Sequence, residues 1–387
     1  MLAHDIGRAV EAARKRLGMS LEDLAESTAL DPTLLGTVEQ GERLPSTAKL
    51  DRIASALGLD AFALYGGREV QQGLVVLPRY AARSDFQSDD LPVLRRALER
   101  ATVLREVSVI LGRKSFASQF KPRLPGAEPA KDGYHCARLV RKALGLTNEP
   151  LHDLQMLLAE KFDIPVISAP LATGALLAAA VRSPGVRAGA IVLNTSVKSG
   201  VSPSGPQSLL VDRVSICHEL CHILFDWPRG DAIDVVLDDP PREGQEKSPI
   251  EQRAGGFAAE MLIPLFGLQK LLGPEGREVN TLDKGDHLVD EVRKHFGTPA
   301  EIAVNHIYNY GYVARVSDFR EELIKSAQKR ELREVLAQFD GESNAWYRVL
   351  LARTREAHDG CLVIDGTARA LLELPAGVPL PWECEES

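Results

Sequence analysis

The run His218-Glu219-Leu220-Cys221-His222 sets two histidines four positions apart, with a carboxylate between them. In a helix, positions i and i+4 lie one turn apart on a single face, so both imidazoles can reach one metal ion. The glutamate next to the first histidine projects beside that face, where it can take a proton from a water the metal activates. Asp212 to Cys217 leads in and Ile223 to Asp226 leads out. These largely aliphatic flanks predict a helix docked on a core and ended by Trp227-Pro228. The competing reading is a pair of partly buried histidines bonded to backbone carbonyls.

A catalytic zinc needs a third protein ligand, with one position left open. Residues Glu251 to Pro264 predict a second helix of small and apolar residues, stopped at Pro264. Its Ala254, Gly255, Ala258 and Ala259 would allow close approach to the histidine-bearing helix. Glu251 and Glu260 are nine positions apart, on roughly opposite helical faces. Only one of them can point at the metal, and periodicity does not choose between them.

The string HELCHILFD followed by EQRAGGFAAEMLIP resembles the ImmA/IrrE family of metallopeptidases, in which an HExxH helix precedes E-x-x-A-x-x-F-A-x-x-L-L-x-P. The resemblance implies that His218, His222 and Glu251 are zinc ligands and that Glu219 is the general base; Glu260 falls at a variable position. It extends over residues 135 to 315. Ala137 to Leu146 and Glu149 to Leu154 are similar to the family's opening helices, and Ile164 to Ile167 and Ala190 to Asn194 to its strands. His295 to Glu301 and Tyr310 to Val313 are similar to its closing helix pair. Cys221 replaces a frequent glycine, and the loop from Trp227 to Pro249 is long and charged. The same ligands can hold Mn2+ or Fe2+. His306, Tyr308, Tyr310 and Tyr312 cluster in the closing region as candidate oxyanion donors, with aromatic core packing as the alternative.

The amino-terminal region carries an independent signal. Ile6 to Leu17 predicts an amphipathic helix ending at Gly18. Ser20 and Asp23 form a capping-box pattern for a second helix. Asp31-Pro32 opens a third that Gly41 stops, and Pro45-Ser46-Thr47 opens a fourth that runs to Leu57-Gly58. The strings Ser20 to Ala25 and Val38 to Pro45 are similar to the XRE-type helix-turn-helix family over residues 4 to 66, which implies a five-helix module whose third helix enters the DNA major groove. Thr33, Thr37, Gln40 and Arg43 are the candidate DNA contacts. Residues 1 to 67 contain seven Lys and Arg against ten Asp and Glu, a poor balance for phosphate binding. Arg8, Arg14, Lys15, Arg16 and Arg43 could still form a local basic stripe. Dimerisation or partner binding is the alternative use.

The chain has 387 residues, enough for two or three domains, and a net charge of −8. That charge argues against a protein that coats nucleic acid. Cys136, Cys217, Cys221, Cys361 and Cys384 are an odd, scattered set, which suggests a reducing compartment. Cys217 and Cys221 read as small packing residues, with a thiol redox role as the alternative. The chain opens directly into its first helix, and no apolar run is long enough to span a bilayer, so a cytoplasmic location without membrane contact is expected.

The expected class is mostly α with a small β-sheet (α+β). A helix-turn-helix domain (1–67) precedes a connecting helix and Pro-rich linker (68–131), a zincin-like zinc peptidase domain (132–316) and a helical carboxy-terminal extension (317–387). Asp90 to Leu111 predicts one long helix that packs on the peptidase domain or pairs with its twin in a homodimer. Phe120 to Lys131 reads as linker. Past Asp318, helices are expected to about Gln338 and over Ala345 to Glu356, and a strand at Cys361 to Ile364. The resemblance implies a regulatory endopeptidase that cleaves a repressor or antitoxin, with a double-stranded operator as a second partner. The alternative is a transcription regulator whose metal domain senses a ligand without proteolysis.

Overall fold

A computed structural model describes residues 3–16, 19–57, 75–78, 90–121, 123–172, 177–183, 188–196, 206–226, 248–273, 279–330, 339, 344–375 and 378–384. The first four helices are α1 (Ala3–Arg16), α2 (Leu21–Thr28), α3 (Pro32–Glu39) and α4 (Thr47–Leu57). α2 starts with the expected capping box: Asp23 N–H donates to Ser20 Oγ at 3.0 Å, and Ser20 N–H to Asp23 Oδ2 at 2.7 Å. α3 starts with Pro32 in its first turn and Asp31 Oδ1 accepting from Leu34 N–H at 3.1 Å. The four bury Ile6, Val10, Leu24, Leu35, Leu50 and Ile53 in a core of their own. The expected fifth helix lies outside the described residues.

The rest is built on a four-stranded sheet of order β1-β3-β4-β2, with β1 Val75–Pro78, β2 Val166–Ala169, β3 Ala178–Ser183 and β4 Ala188–Asn194. β3 runs antiparallel to β1 and β4, and β2 parallel to β4. Between β1 and β2 come α5 (Leu91–Ile110), α6 (Pro129–Ala143) and α7 (Leu154–Leu157), which widens into a π turn at Leu158–Phe162. Beyond β4 follow α8 (Pro206–Phe225), α9 (Pro249–Leu262), α10 (Leu265–Leu272), α11 (Leu282–Phe296), α12 (Ala300–Asn309), α13 (Ser317–Gln328), α14 (Ala345–Asp359) and α15 (Asp365–Leu371). The fold is therefore mostly helical with a small sheet.

Alternation along the strands explains the layering. Ala178, Ala180, Ile191 and Leu193 share a core with the aliphatic side chains of α8, including Ile216, Leu220 and Leu224. Ala179, Val181, Ala190 and Val192 face Leu94, Ala97 and Ala101 of α5. α5 is thus a layer of the body, covering the sheet face opposite α8, so of the two uses its sequence suggested it is packing on the body that is observed. The second half of α5 gives Leu104 and Val107 to a third core with Trp346, Val349 and Leu350 of α14. Buried Asp163, with φ 58°, ties the same elements: it accepts from Arg105 at 2.9 Å, Arg353 at 2.6 Å and Ser108 Oγ at 2.9 Å.

Three sequence expectations need correction. The residues read as linker end inside α6, because Pro129 is a favourable first helical residue. Cys361 to Ile364 forms no strand; Cys361 has φ 55°, and Cys361 N–H donates to His358 O at 2.9 Å, closing α14 with a turn. α13 ends at Gln328, and residues 331–338 lie outside the described set. The glycines of α9 also act differently from expectation. Gly255 faces open space, whereas Gly256 lets the α9 backbone meet Ala130 of α6, and Gly133 of α6 meets Arg253 and Phe257 of α9. A Cβ at Gly133 would press into the Arg253 carbonyl. Gly133→Ala is therefore expected to destabilise the fold by about 1–3 kcal/mol, read from chemical denaturation midpoints, whereas Gly255→Ala should be neutral or mildly stabilising.

Candidate functional site

α8 carries His218, Glu219 and His222 near its carboxy-terminal end, all buried: 2 %, 0 % and 4 % exposed. The imidazole rings sit 4.8 Å apart between centroids, steeply inclined at 71°. The third group comes from the first turn of α9. Ser248 caps that helix, accepting from Glu251 N–H at 3.3 Å, and Pro249 follows it. Glu251 Oε2 lies 3.0 Å from His218 Nε2, and Glu251 Oε1 lies 3.3 Å from His222 Nε2. Burial opposes ionisation of Glu251, yet the two imidazoles outweigh it and hold the carboxyl well below the ordinary carboxylate range.

One ligand-type atom from each of His218, His222 and Glu251 lies within 4.8 Å of the others. Donors at about 2.0–2.1 Å from a tetrahedral zinc stand roughly 3.3 Å apart, so this set fits such an ion. The remaining ring nitrogen of His222 supports the same reading: Nδ1 lies 2.7 Å from Asp226 Oδ2. The tautomer that donates from Nδ1 to Asp226 turns the Nε2 lone pair toward Glu251. Asp226 is in turn ion-paired to Arg253, which also donates to the Arg123 carbonyl at 2.8 Å and approaches Asp132 Oδ2 at 3.4 Å. Asp226 escaped the sequence reading, although its i+4 spacing from His222 was the available signal.

Glu260, the other candidate third donor, sits elsewhere. It accepts from Arg138 Nε at 2.8 Å and from the Tyr310 hydroxyl at 2.8 Å, with His306 Nε2 at 3.3 Å. Burial works against its charge, but His306 and then Arg138 draw its pKa down. This network accounts for two of the candidate oxyanion donors. His306 Nε2 also lies 2.8 Å from Ile263 O, the Tyr312 hydroxyl donates to Gly273 O at 2.9 Å, and the Tyr308 ring lies 5.7 Å from the Arg320 guanidinium. All four are therefore bound into packing and bracing. Cys217 and Cys221 are fully buried; burial pushes the Cys217 thiol up to about 12 and Cys221 well above its ordinary value. Neither is poised as a thiolate at neutral pH, as their packing role predicts.

On the amino-terminal module, Thr33, Gln40 and Arg43 are exposed. Thr37 is half-buried, with its hydroxyl donating to Leu34 O at 2.8 Å. The expected basic stripe loses Arg14, which forms a bidentate pair with buried Glu39 of α3 at 2.6 and 2.7 Å. Lys15 pairs with Glu11 at 2.6 Å, and the Arg16 side chain lies outside the described set.

The capped α2–turn–α3 arrangement is that of a helix-turn-helix module of a DNA-binding regulator. Residues 5–62 match the family described as "Helix-turn-helix domain". The chain is 36 % identical over 55 residues to the uncharacterized HTH-type transcriptional regulator YazB of Bacillus subtilis (strain 168), across 14 % of this chain and 80 % of that protein. Through this module the chain belongs to the helix-turn-helix family of transcriptional regulators. No solved structure matches it. Among the described residues no helix is long and apolar enough to cross a membrane.

Asp226 gives the metal-type cluster a direct test. Asp226→Asn can favour the wrong imidazole tautomer at His222, so zinc affinity measured by chelator competition is expected to fall about 10–100-fold.

Proposed function

We propose that the chain is a regulatory zinc-dependent endopeptidase of the HExxH type, with a zincin-like domain of the ImmA/IrrE kind fused to the helix-turn-helix module. The observation that carries this reading is the convergence of His218, His222 and Glu251 beside Glu219. The two histidines and Glu251 would hold the ion, and Asp226 would fix the His222 tautomer. Zinc bound there supplies Lewis-acid polarisation of a peptide carbonyl and an acidified water, and Mn2+ or Fe2+ suits the same donors. Glu219 accepts a proton and delivers it to the leaving amine, a task that explains a carboxylate between two ligands; a structural site has no need of one.

The proposed substrate is a protein of the repressor or antitoxin class, with the helix-turn-helix bringing the enzyme to an operator. A second reading keeps the metal domain as a non-proteolytic ligand sensor. What favours it is burial: the four site residues are no more than 9 % exposed.

Purified protein is expected to hold about one zinc per chain, lost in His222→Ala and Glu251→Ala, as measured by plasma mass spectrometry. Glu219→Gln should keep the zinc. Comparison of protein amino termini in cells producing wild type or Glu219→Gln then separates the readings. New termini confined to wild type indicate proteolysis; none, with zinc intact, sinks the peptidase and leaves the sensor. The DNA half is tested separately. Arg43→Ala should weaken binding to a duplex operator and lower the log–log salt slope by about one.

A further inference from the structure

A concavity lies at the carboxy-terminal end of α8, where it meets the segment after α5. Its volume is about 700 Å³, within the range of roughly 300–1,000 Å³ usual for small-molecule sites. Phe162, Ile164, Ile223 and Leu224 form an apolar floor, each no more than 6 % exposed. Phe120 adds a half-buried aromatic ring. Around this floor stand Arg105, Arg113, Lys114, Lys121 and Arg182, with the hydroxyls of Ser115 and Ser118. No carboxylate is among the described lining residues.

Local structure fixes this cationic rim. α5 ends in a Schellman turn: Gly112, with φ 69°, donates to Val109 O at 2.9 Å, and Arg113 N–H donates to Ser108 O at 2.8 Å. The turn carries Arg113 and Lys114 to the mouth. Arg182 lies across the β3–β4 ladder from Gly189, which puts no side chain beside it. Arg105 pairs with Asp163 and Arg113 with Glu356. Lys114 and Lys121 have no carboxylate partner among the described residues, leaving at least two charges for a ligand to balance.

We infer that this pocket binds a small phosphorylated molecule with a planar group, of the nucleotide class. A monocarboxylate balances a single charge, whereas a phosphate dianion can balance the two that Lys114 and Lys121 leave and accept charge-assisted hydrogen bonds from both ammonium groups. The half-buried Phe120 ring offers an apolar face for a planar base above this floor. The site stands whether or not the α8 histidines support catalysis. It does touch that helix, since Ile223 and Leu224 directly follow His222. The Phe120 ring meets Phe225 at 5.7 Å, and Arg123 N–H donates to Phe225 O at 2.9 Å.

The test is calorimetric titration of the full-length protein with AMP, GMP and ATP, beside adenosine and a series of single-stranded oligonucleotides. At least one mononucleotide is expected to bind, with adenosine weaker by at least about tenfold for the lost charge-assisted bonds. The double variant Lys114→Glu/Lys121→Glu alters two exposed side chains, so its melting temperature and zinc content should match wild type. Its mononucleotide affinity should fall by at least about tenfold. Three results would overturn the inference: no mononucleotide binds, the folded double variant binds as well as wild type, or affinity appears only in oligonucleotides and grows with their length. The last assigns the rim to a nucleic-acid strand. Zinc content and the comparison of amino termini do not enter these outcomes, so failure here is distinct from failure of the peptidase reading.

Discussion

Arg253 is buried to 0 % exposure, and that single charge constrains everything around the histidine cluster. Burial draws its pKa below the ordinary guanidinium value, so its partners have to restore what water would have supplied. They come from three directions: Asp226 just past α8, Asp132 in α6, and the Arg123 carbonyl ahead of α6. Asp132 in turn pairs with Arg123. Removing one member of such a buried set typically costs about 3–5 kcal/mol, because an uncompensated charge remains. The end of α8 is therefore held in register with the start of α9, and Glu251 stands two residues before Arg253. The spacing between histidines and carboxylate is a consequence of this charge pairing as much as of apolar packing.

The same helix carries its second carboxylate into a different role. Nine residues at about 1.5 Å rise put Glu260 roughly 13 Å along the axis from Glu251. There it links α9 to Arg138 of α6 and to His306 and Tyr310 at the end of α12. Partners outweigh burial at both glutamates, so both remain charged. What separates them is the partner: Glu260 meets a guanidinium, a phenol and one imidazole whose Nε2 also lies against Ile263 O, whereas Glu251 faces two imidazoles in a set that could hold a metal ion. Charge alone would not have distinguished these clusters; donor chemistry does.

Much of this was legible in the sequence where the rule is local. The HExxH spacing, the Ser20–Asp23 box and the Asp31-Pro32 helix start depend only on residues within one turn, and each is found as expected. The choice between Glu251 and Glu260 was not legible from periodicity, since both faces of α9 are buried and both carry an acid. α5 showed an apolar stripe, but a stripe does not name the surface that covers it, and here the side chains that meet it come from β2, β3 and β4, more than fifty residues further along the chain. Arg14 was misjudged for a similar reason. A basic residue on an amphipathic helix reads as solvated, and only the tertiary approach of α3 gives it Glu39.

That pair bears on how the helix-turn-helix can work. Gly7 lets α1 lie against the end of α3 because a Cβ there would strike the Val38 and Glu39 carbonyls, and Arg14 then grips Glu39 from the same side. The contact fixes the angle of α3 by consuming a cation that could otherwise meet phosphate. With ten acidic residues against seven basic ones over residues 1 to 67, few charges remain to release counterions from a duplex. Non-specific affinity follows the number of phosphate contacts, so on the proposed operator role this module would show shallow salt dependence and weak background binding. Under the proposed operator role, selectivity would have to come from base-edge contacts by exposed groups such as Thr33 and Gln40, which require α3 to be held at a fixed angle to the groove. Spending Arg14 on orientation is consistent with a domain that selects its site by geometry more than by charge.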